Sequence, residues 1–369
     1  MKKILFLIHD LCQGGAEKVL VNLVNNMDYS KFDITVMVMF GGGVNEQFLD
    51  KRVHFKALFP KMIPGNSKLM KLFTPEQLHN MFIKEQYDIE VSYLEGPCAR
   101  VISGCKDERT KLVAWIHVEQ HSMENLSITF RNATEAVKCY NKFDNVVCVS
   151  QFVKQDFTSI LQYEKSCEVL YNTVESEKIL QQSKEVTDAI VKDDRINLIA
   201  VGTLKASKGY DRLLRVVYRL KQEGYSVRLY ILGKGSLQST LEKFVLDSHL
   251  ENEVIFLGYD VNPYKYVSEC DLFVCASHTE GFSTAATEAL IVGTPVCTVE
   301  VSGMKEMLGE NDEYGVVTTN TEEGLYSGIK KLLDSPELLQ YYKKQAVERG
   351  KKFDTYSTVR AVEEMLERV

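Results

Sequence analysis

The feature that most restricts what this chain can become is a repeated alternation of short apolar runs with longer amphipathic ones. KILFLI, DITVMVM, IEVSY, LVAWI and VVCV lie in the first half, and INLIAV, VRLYIL, VIFL, LFVC and VCTV in the second. Runs that are apolar throughout and rich in β-branched residues suit strands buried on both faces of a parallel sheet. Between them come helical patterns. The clearest is the first, where Ala16, Val19, Leu20, Leu23, Val24 and Met27 recur at three- and four-residue steps along one face. Strand and helix in alternation predict a doubly wound α/β architecture.

A length of 369 residues is more than one core normally serves, and at about 150 residues per domain it predicts two. The division falls in TVESEKILQQSKEVTDAIVKDDR, a polar stretch after an Asn-Thr turn that reads as a linker over 173–195. Residues 1–172 then form one Rossmann-like domain and 196–354 another. The segment 355–369 has helical spacing at Val359, Val362 and Leu366 and is expected to pack back on the first domain. Each domain opens with a strand, a glycine-bearing loop and an amphipathic helix, an order that offers backbone N–H groups to phosphate. Two such units face to face would leave a cleft for a phosphate-bearing ligand. Neither loop completes the GxGxxG fingerprint, and GKGS at 233–236 lacks its third glycine, so a nicotinamide cofactor is not expected.

Composition removes other classes. Apolar and charged fractions of 45% and 26% are those of a globular protein, and a formal charge of −7 argues against a general nucleic-acid binder. The opening MKKILFLIHD meets His9 and Asp10 before a signal-peptide core is complete, and no run approaches the roughly 20 apolar residues that span a bilayer. A cytoplasmic protein is expected, peripheral on the inner face if it meets a membrane. The nine cysteines include no CxxC pair and read as free thiols.

The chemistry concentrates in EGFSTAATEAL, residues 280–290. A helix starting near Ser283 would present free N–H groups and the positive end of its dipole to an anion, with Thr284 and Ala285 beside it. Glu288 lies one turn deeper on the face of Thr284, within reach of ribose hydroxyls next to a bound diphosphate. Glu280, ahead of the helix, is placed to accept hydrogen bonds from sugar hydroxyls. Lys208 in TLKASKG adds a compact cation on the other glycine-bearing loop of the same half. The spacing fits a nucleotide sugar.

With these residues in view, the chain resembles the retaining glycosyltransferases of family 4, which have the GT-B fold of two facing Rossmann-like domains with parallel sheets and a central cleft. The resemblance runs through GGAEKVLVNLVNNM, VCVSQFVKQDF, VLYNTVE, VGTLKASKG, LYILGKGSLQSTLE, VIFLGY, DLFVCASHTEGFSTAATEALIVGTPV and VSGMKEML, in the family's order. It implies that Glu280 contacts donor-sugar hydroxyls, Glu288 holds the ribose and Lys208 neutralises the leaving diphosphate. It further implies that Gly14 and Gly15 let the first loop approach that diphosphate, that Gly281, Phe282 and Ser283 offer backbone contacts, and that His117 lines the reacting side. Relatives usually have arginine where this chain has Thr203; Lys205 is the nearest substitute, two residues along, and lacks arginine's bidentate grip. Lys234 stands where the family often has an acid.

The expected reaction is transfer of a hexosyl or N-acetylhexosaminyl group from a UDP-sugar to a glycan or polyprenyl-diphosphate-linked acceptor. It would proceed with retention and without a metal or other cofactor, in cell-surface polysaccharide or glycoconjugate synthesis. A non-catalytic binding partner that kept the fold and a nucleotide-sugar epimerase remain as alternatives. HVEQH offers His117 and His121 as a metal pair, but the sequence shows no third ligand nearby, and no metal site is expected.

Charge is uneven. Residues 1–168 carry 20 basic and 20 acidic side chains, leaving 24 and 31 for the rest. Between 51 and 73 there are six cations and no acid, interleaved with Met62, Ile63, Leu69, Met70, Leu72 and Phe73. Lys61, Lys68 and Lys71 in this stretch are expected to face an anionic membrane surface or a lipid-diphosphate acceptor.

Overall fold

The computed structural model describes residues 1–12, 14–62 and 65–369. They divide into two units, one of residues 1–173 with 356–369, the other of residues 174–355.

The first unit is built on seven strands: β1 (Lys2–Ile8), β2 (Phe32–Phe40), β3 (His54–Phe59), β4 (Ile89–Ser92), β5 (Lys111–Ile116), β6 (Asn145–Cys148) and β7 (Cys167–Val169). Their order is β3-β2-β1-β4-β5-β6-β7, and all pairs are parallel. Ile4 to Ile8 are fully buried, because β1 lies mid-sheet under helices and every side chain on it meets apolar neighbours. The second unit holds β8 (Ile196–Val201), β9 (Val227–Leu232), β10 (Val254–Gly258), β11 (Leu272–Cys275), β12 (Val296–Val299) and β13 (Val316–Thr318), ordered β10-β9-β8-β11-β12-β13, again all parallel.

Both sheets reverse their direction of winding at one place, between β1 and β4 in the first and between β8 and β11 in the second. Loops leaving the carboxyl ends of those strands diverge there, which opens a crevice for ligands in folds of this kind. The segments singled out as chemically informative follow β1, β8 and β11.

One boundary differs from expectation. Residues 173–195 are not a bare linker: Ser176–Gln182 form a helix, and Ile179 and Ile190 are buried. Asn262 Nδ2 donates to the Gln182 carbonyl at 3.0 Å and Ser268 Oγ to that of Ser183 at 3.0 Å, so the stretch is part of the second unit. At the other end, helix Thr355–Arg368 buries Val359, Val362, Met365 and Leu366, and residues 356–369 join the first unit. Lys2 Nζ donates to the Leu366 carbonyl at 2.9 Å, and Arg368 pairs with Glu168 at 2.7 Å. No helix among the described residues is long and apolar enough to cross a membrane.

Candidate functional site

In the second unit the loops after β8 and β11 meet. Gly209 makes the contact possible: its φ is +64°, and a Cβ there would lie 1.9 Å from the Ala276 carbonyl oxygen. The residue before it, Lys208, donates to Glu280 Oε1 at 2.5 Å, and Ser277 Oγ donates to the same oxygen at 2.6 Å. Burial disfavours the Lys208 ammonium, but the Glu280 carboxylate outweighs it and holds the lysine's pKa above its ordinary value. Lys208, Tyr210, Cys275, Ser277, Glu280 and Ser283 line one small pocket. Beneath it Arg212, 3% exposed, donates to the carbonyls of Ala276 at 2.8 Å and Ser277 at 2.7 Å and to Asn320 Oδ1 at 2.9 Å. A charge so buried is tolerated because carbonyls surround it, and it holds the turn that carries Glu280.

Ser283 is the N-cap of helix Thr284–Ile291, its Oγ accepting from the Ala286 N–H at 3.4 Å. Thr284 and Ala285 are half-buried in the first turn, and Glu288 is buried one turn on, where Tyr264 donates its hydroxyl to Oε1 at 3.3 Å. Gly281 and Phe282 are buried, and the Phe282 ring packs edge-on to Phe353 at 5.9 Å. Thr203 follows β8 half-buried, while Lys205 and Lys234 are exposed.

The first unit has its own set. Gly14 caps helix Gly15–Asn26, and the Glu17 carboxylate folds back over it so closely that a Cβ at Gly14 would collide with Glu17 Oε2. At the end of β1, His9 Nδ1 and Asp10 Oδ2 are 2.7 Å apart, and the histidine, with the Cys12 N–H, brings the Asp10 pKa down to about 2. His117 follows β5 directly, 7% exposed, and burial pushes its pKa down to about 4, so the imidazole is neutral. Its backbone N–H donates to Glu95 Oε2 at 3.1 Å.

The basic stretch resolves into parts. Lys56 belongs to β3 and pairs with Glu85 at 2.6 Å, and Arg52 pairs with Asp50 at 2.8 Å. Lys61 and Lys68 are exposed, whereas Lys71 is half-buried and donates to the Ile128 carbonyl at 2.8 Å. Leu69, Leu72 and Ile128 beside them are 54%, 71% and 69% exposed. Ile63 lies outside the described residues. Around His121 the structure adds what the sequence did not show: Glu119 and Asp156 bring ligand atoms within 4.8 Å of it, whereas His117 is not in that group. The free-thiol reading holds for all nine cysteines.

Lys208, Glu280, Ser283 and Glu288 therefore sit around the switch point of one sheet, and Gly14, Gly15 and His117 at strand ends of the other. Arg212, Tyr264 and Glu95 were missed because their partners are distant in the chain, whereas Ser277, three residues before Glu280, was a local signal passed over.

Solved structures share this fold over the whole length. Anabaena HepE in complex with UDP and glucose aligns with a TM-score of 0.80 at 19% identity, covering 100% of both chains. Sucrose-phosphate synthase from Thermosynechococcus elongatus aligns at 0.79 and 14% identity, over 100% of this chain and 99% of the other. The fold is that of the GT-B glycosyltransferases. The sequence model described as "Glycosyltransferase Family 4" matches residues 13–178, and that described as "Glycosyl transferases group 1" matches 182–349. This chain belongs to glycosyltransferase family 4.

Among curated relatives, a Campylobacter jejuni N-acetylgalactosamine-N,N'-diacetylbacillosaminyl-diphospho-undecaprenol 4-alpha-N-acetylgalactosaminyltransferase is 29% identical over 98% of each chain. A Rhizobium meliloti lipopolysaccharide core glycosyltransferase is 20% identical over 87% of this chain and 86% of its own.

Proposed function

We propose that this glycosyltransferase moves a hexosyl or N-acetylhexosaminyl group from a UDP-sugar to a polyprenyl-diphosphate-linked glycan, with retention of anomeric configuration. The observation that carries the reading is the Lys208–Glu280 pair at 2.5 Å beside a capped helix N-terminus. One donor of the ammonium fixes the carboxylate for the sugar's hydroxyls, and its remaining two can meet the diphosphate, with the N–H groups of the helix behind them.

As the anomeric C–O bond breaks, its electron pair passes to the β-phosphate oxygen, and Lys208 stands where that charge grows. The acceptor oxygen bonds to the anomeric carbon from the same face, and its proton passes to the departing phosphate. No side-chain nucleophile and no metal enters these steps. Glu288, oriented by Tyr264, holds the ribose. The Campylobacter relative's name specifies an undecaprenyl-diphosphate acceptor and an alpha linkage, which supports both the lipid-linked acceptor and retention here. The solved Anabaena complex with UDP-glucose supports the choice of nucleotide. The basic, apolar surface around Lys61, Lys68 and Lys71 would meet the membrane that carries such an acceptor, on its cytoplasmic side.

The test is product analysis. Purified protein is offered UDP-glucose, UDP-N-acetylglucosamine and UDP-N-acetylgalactosamine with short polyprenyl-diphosphate glycans, and the new linkage is assigned from its anomeric proton coupling. An inverted product would overturn the mechanism, and transfer from other nucleotides alone would overturn the donor.

A further inference from the structure

Two sets of three metal-ligating side chains come together among the described residues. One is Glu119, His121 and Asp156, where the Asp156 carboxylate receives the N–H groups of Gln120 at 2.6 Å and His121 at 3.1 Å. Those bonds explain its place at that turn, and the anionic atoms there are all oxygen. The other set, His79, Glu90 and Cys105, is harder to account for as structure alone. Glu90 is the acid inside the run IEVSY; it sits on β4, mid-sheet between buried Ile89 and Val91, and is 2% exposed. A carboxylate is costly at such a position unless an opposite charge meets it.

Three elements of the first unit converge there. His79 lies on helix Pro75–Phe82, which Thr74 and Gln77 start with a reciprocal capping box, and it is buried with Leu78. Its Nε2 is 2.9 Å from Glu90 Oε2. Cys105 follows helix Pro97–Ile102, in a turn that Gly104 brings close: a Cβ at Gly104 would lie 2.0 Å from the Pro75 carbonyl oxygen and 2.8 Å from His79 Cβ. The Cys105 thiol and the His79 ring are hydrogen-bonded. One sulfur, one ring nitrogen and one carboxylate oxygen thus lie within 4.8 Å of one another. In a tetrahedral zinc site with bonds of about 2.0–2.3 Å, ligand atoms stand about 3.2–3.6 Å apart, so small side-chain rotations place these three around one ion.

The donor set selects the metal. Thiolate, imidazole and carboxylate together suit zinc and disfavour calcium or magnesium, which take oxygen ligands. The thiolate and the carboxylate carry two negative charges between them, so a divalent ion is neutralised where it is buried. Cys105 is half-buried and the His79 side chain is 11% exposed, so the set reaches solvent at one edge, where a water can take the fourth position.

We propose that His79, Glu90 and Cys105 form a zinc site that ties helix Pro75–Phe82, β4 and the turn after helix Pro97–Ile102 together. Binding expels the Cys105 thiol proton and one proton from the His79 ring, and both pass to solvent. Glu90 lies toward the amino end of β4, whereas the loops at the switch point leave the carboxyl ends, so the role is structural and independent of the transferase reading.

The experiment titrates full-length protein, stripped with a chelator, with zinc and with cobalt(II), which gives a charge-transfer band when a thiolate binds it. The parent should take up zinc, show the cobalt–thiolate band and gain Tm with zinc, because the ion binds the folded state. Cys105→Ser should lose the band and bind zinc at least about 10-fold more weakly, since loss of even an outer-shell partner commonly costs that much. Uptake without the band would place the metal at a set without sulfur, such as that around His121, and would overturn the proposal; so would a band that persists in Cys105→Ser. A second measurement needs no variant. Alkylation of Cys105 by iodoacetamide, read by peptide mass spectrometry, should be lost with zinc present and recover with chelator, while exposed Cys12 labels alike in both. Equal labelling of Cys105 with and without zinc would leave His79 and Glu90 as a buried pair beside an idle thiol and end the proposal.

Discussion

Lys208 illustrates how much one atom can be asked to do, since its ammonium orders Glu280 and, in the reaction proposed above, also meets the leaving group. Because charge on that group grows only during reaction, Lys208→Ala should lower kcat more than it weakens UDP binding, measured by steady-state kinetics beside calorimetry. Lys205→Ala, at an exposed side chain, tests whether that residue replaces the family's arginine; transfer at the parent rate would leave the diphosphate with one cation. Glu288→Ala should weaken UDP roughly 10- to 150-fold with the fold intact, and Tyr264→Phe less, since it removes an orienting hydroxyl and not the carboxylate. Glu288 and Glu280 stood out because two carboxylates eight positions apart around a capping serine have few structural uses. Glu95 did not, because the burial that raises its pKa is revealed only by packing. A histidine sets a pH response. Burial opposes protonation of His79, but bonds with Cys105 and Glu90 overcome it and raise its pKa from 6.5 to about 9. The stability this contributes is complete below 6.5 and is lost as pH rises through about 9. The Tm advantage of the parent over His79→Gln should shrink across that window, and a constant difference would mean that the pair is not ionic.

Elements show where periodicity informs and where it fails. The ten apolar runs all became strands, nine of them inside their sheets, where cover on both faces leaves little place for polar side chains, and one, β10, at an edge. The three strands not anticipated, β3, β7 and β13, include both edges of the first sheet and one of the second. HFKALF in β3 carries a histidine and a lysine that an edge can leave in water, and CEV and VVT are too short to show a period. The expected linker misled for the opposite reason, since two buried isoleucines in a polar stretch suffice to dock it. The loop between β11 and the helix Thr284–Ile291 depends on Arg212, whose three bonds no local pattern announces. Arg212→Met should cost about 3 kcal/mol or more in denaturant unfolding, because the Ala276 and Ser277 carbonyls would be left without a donor. It should also weaken UDP binding although it touches no ligand. A variant that unfolds at the parent's denaturant midpoint would show that those carbonyls find other donors.

At the scale of the whole molecule, charge is the property with consequences beyond any one element. The acidic excess lies after residue 168, and the balanced first part gathers cations beside exposed Leu69, Leu72 and Ile128. Arg52 and Lys56 are spent on ion pairs and Lys71 on a carbonyl, so Lys61 and Lys68 supply most of the free positive charge, fewer cations than the sequence promised. Attraction to an anionic bilayer at about 1 kcal/mol per cation is then modest, and the three apolar side chains must supply the remainder by entering the headgroup region. Two dependences follow. Binding to vesicles containing anionic lipid should weaken as salt rises, because the screening length is only about 8 Å at physiological ionic strength, but it should not vanish, since apolar insertion is insensitive to salt. Lys61→Gln with Lys68→Gln should remove the salt-dependent part, and Leu69→Ser with Leu72→Ser the part that persists, both read by vesicle sedimentation. If all three proteins sediment alike at low salt, this face is a solvated surface and the acceptor reaches the enzyme without the membrane's help; if only the leucine pair matters, the cations address the acceptor's diphosphate and not the bilayer.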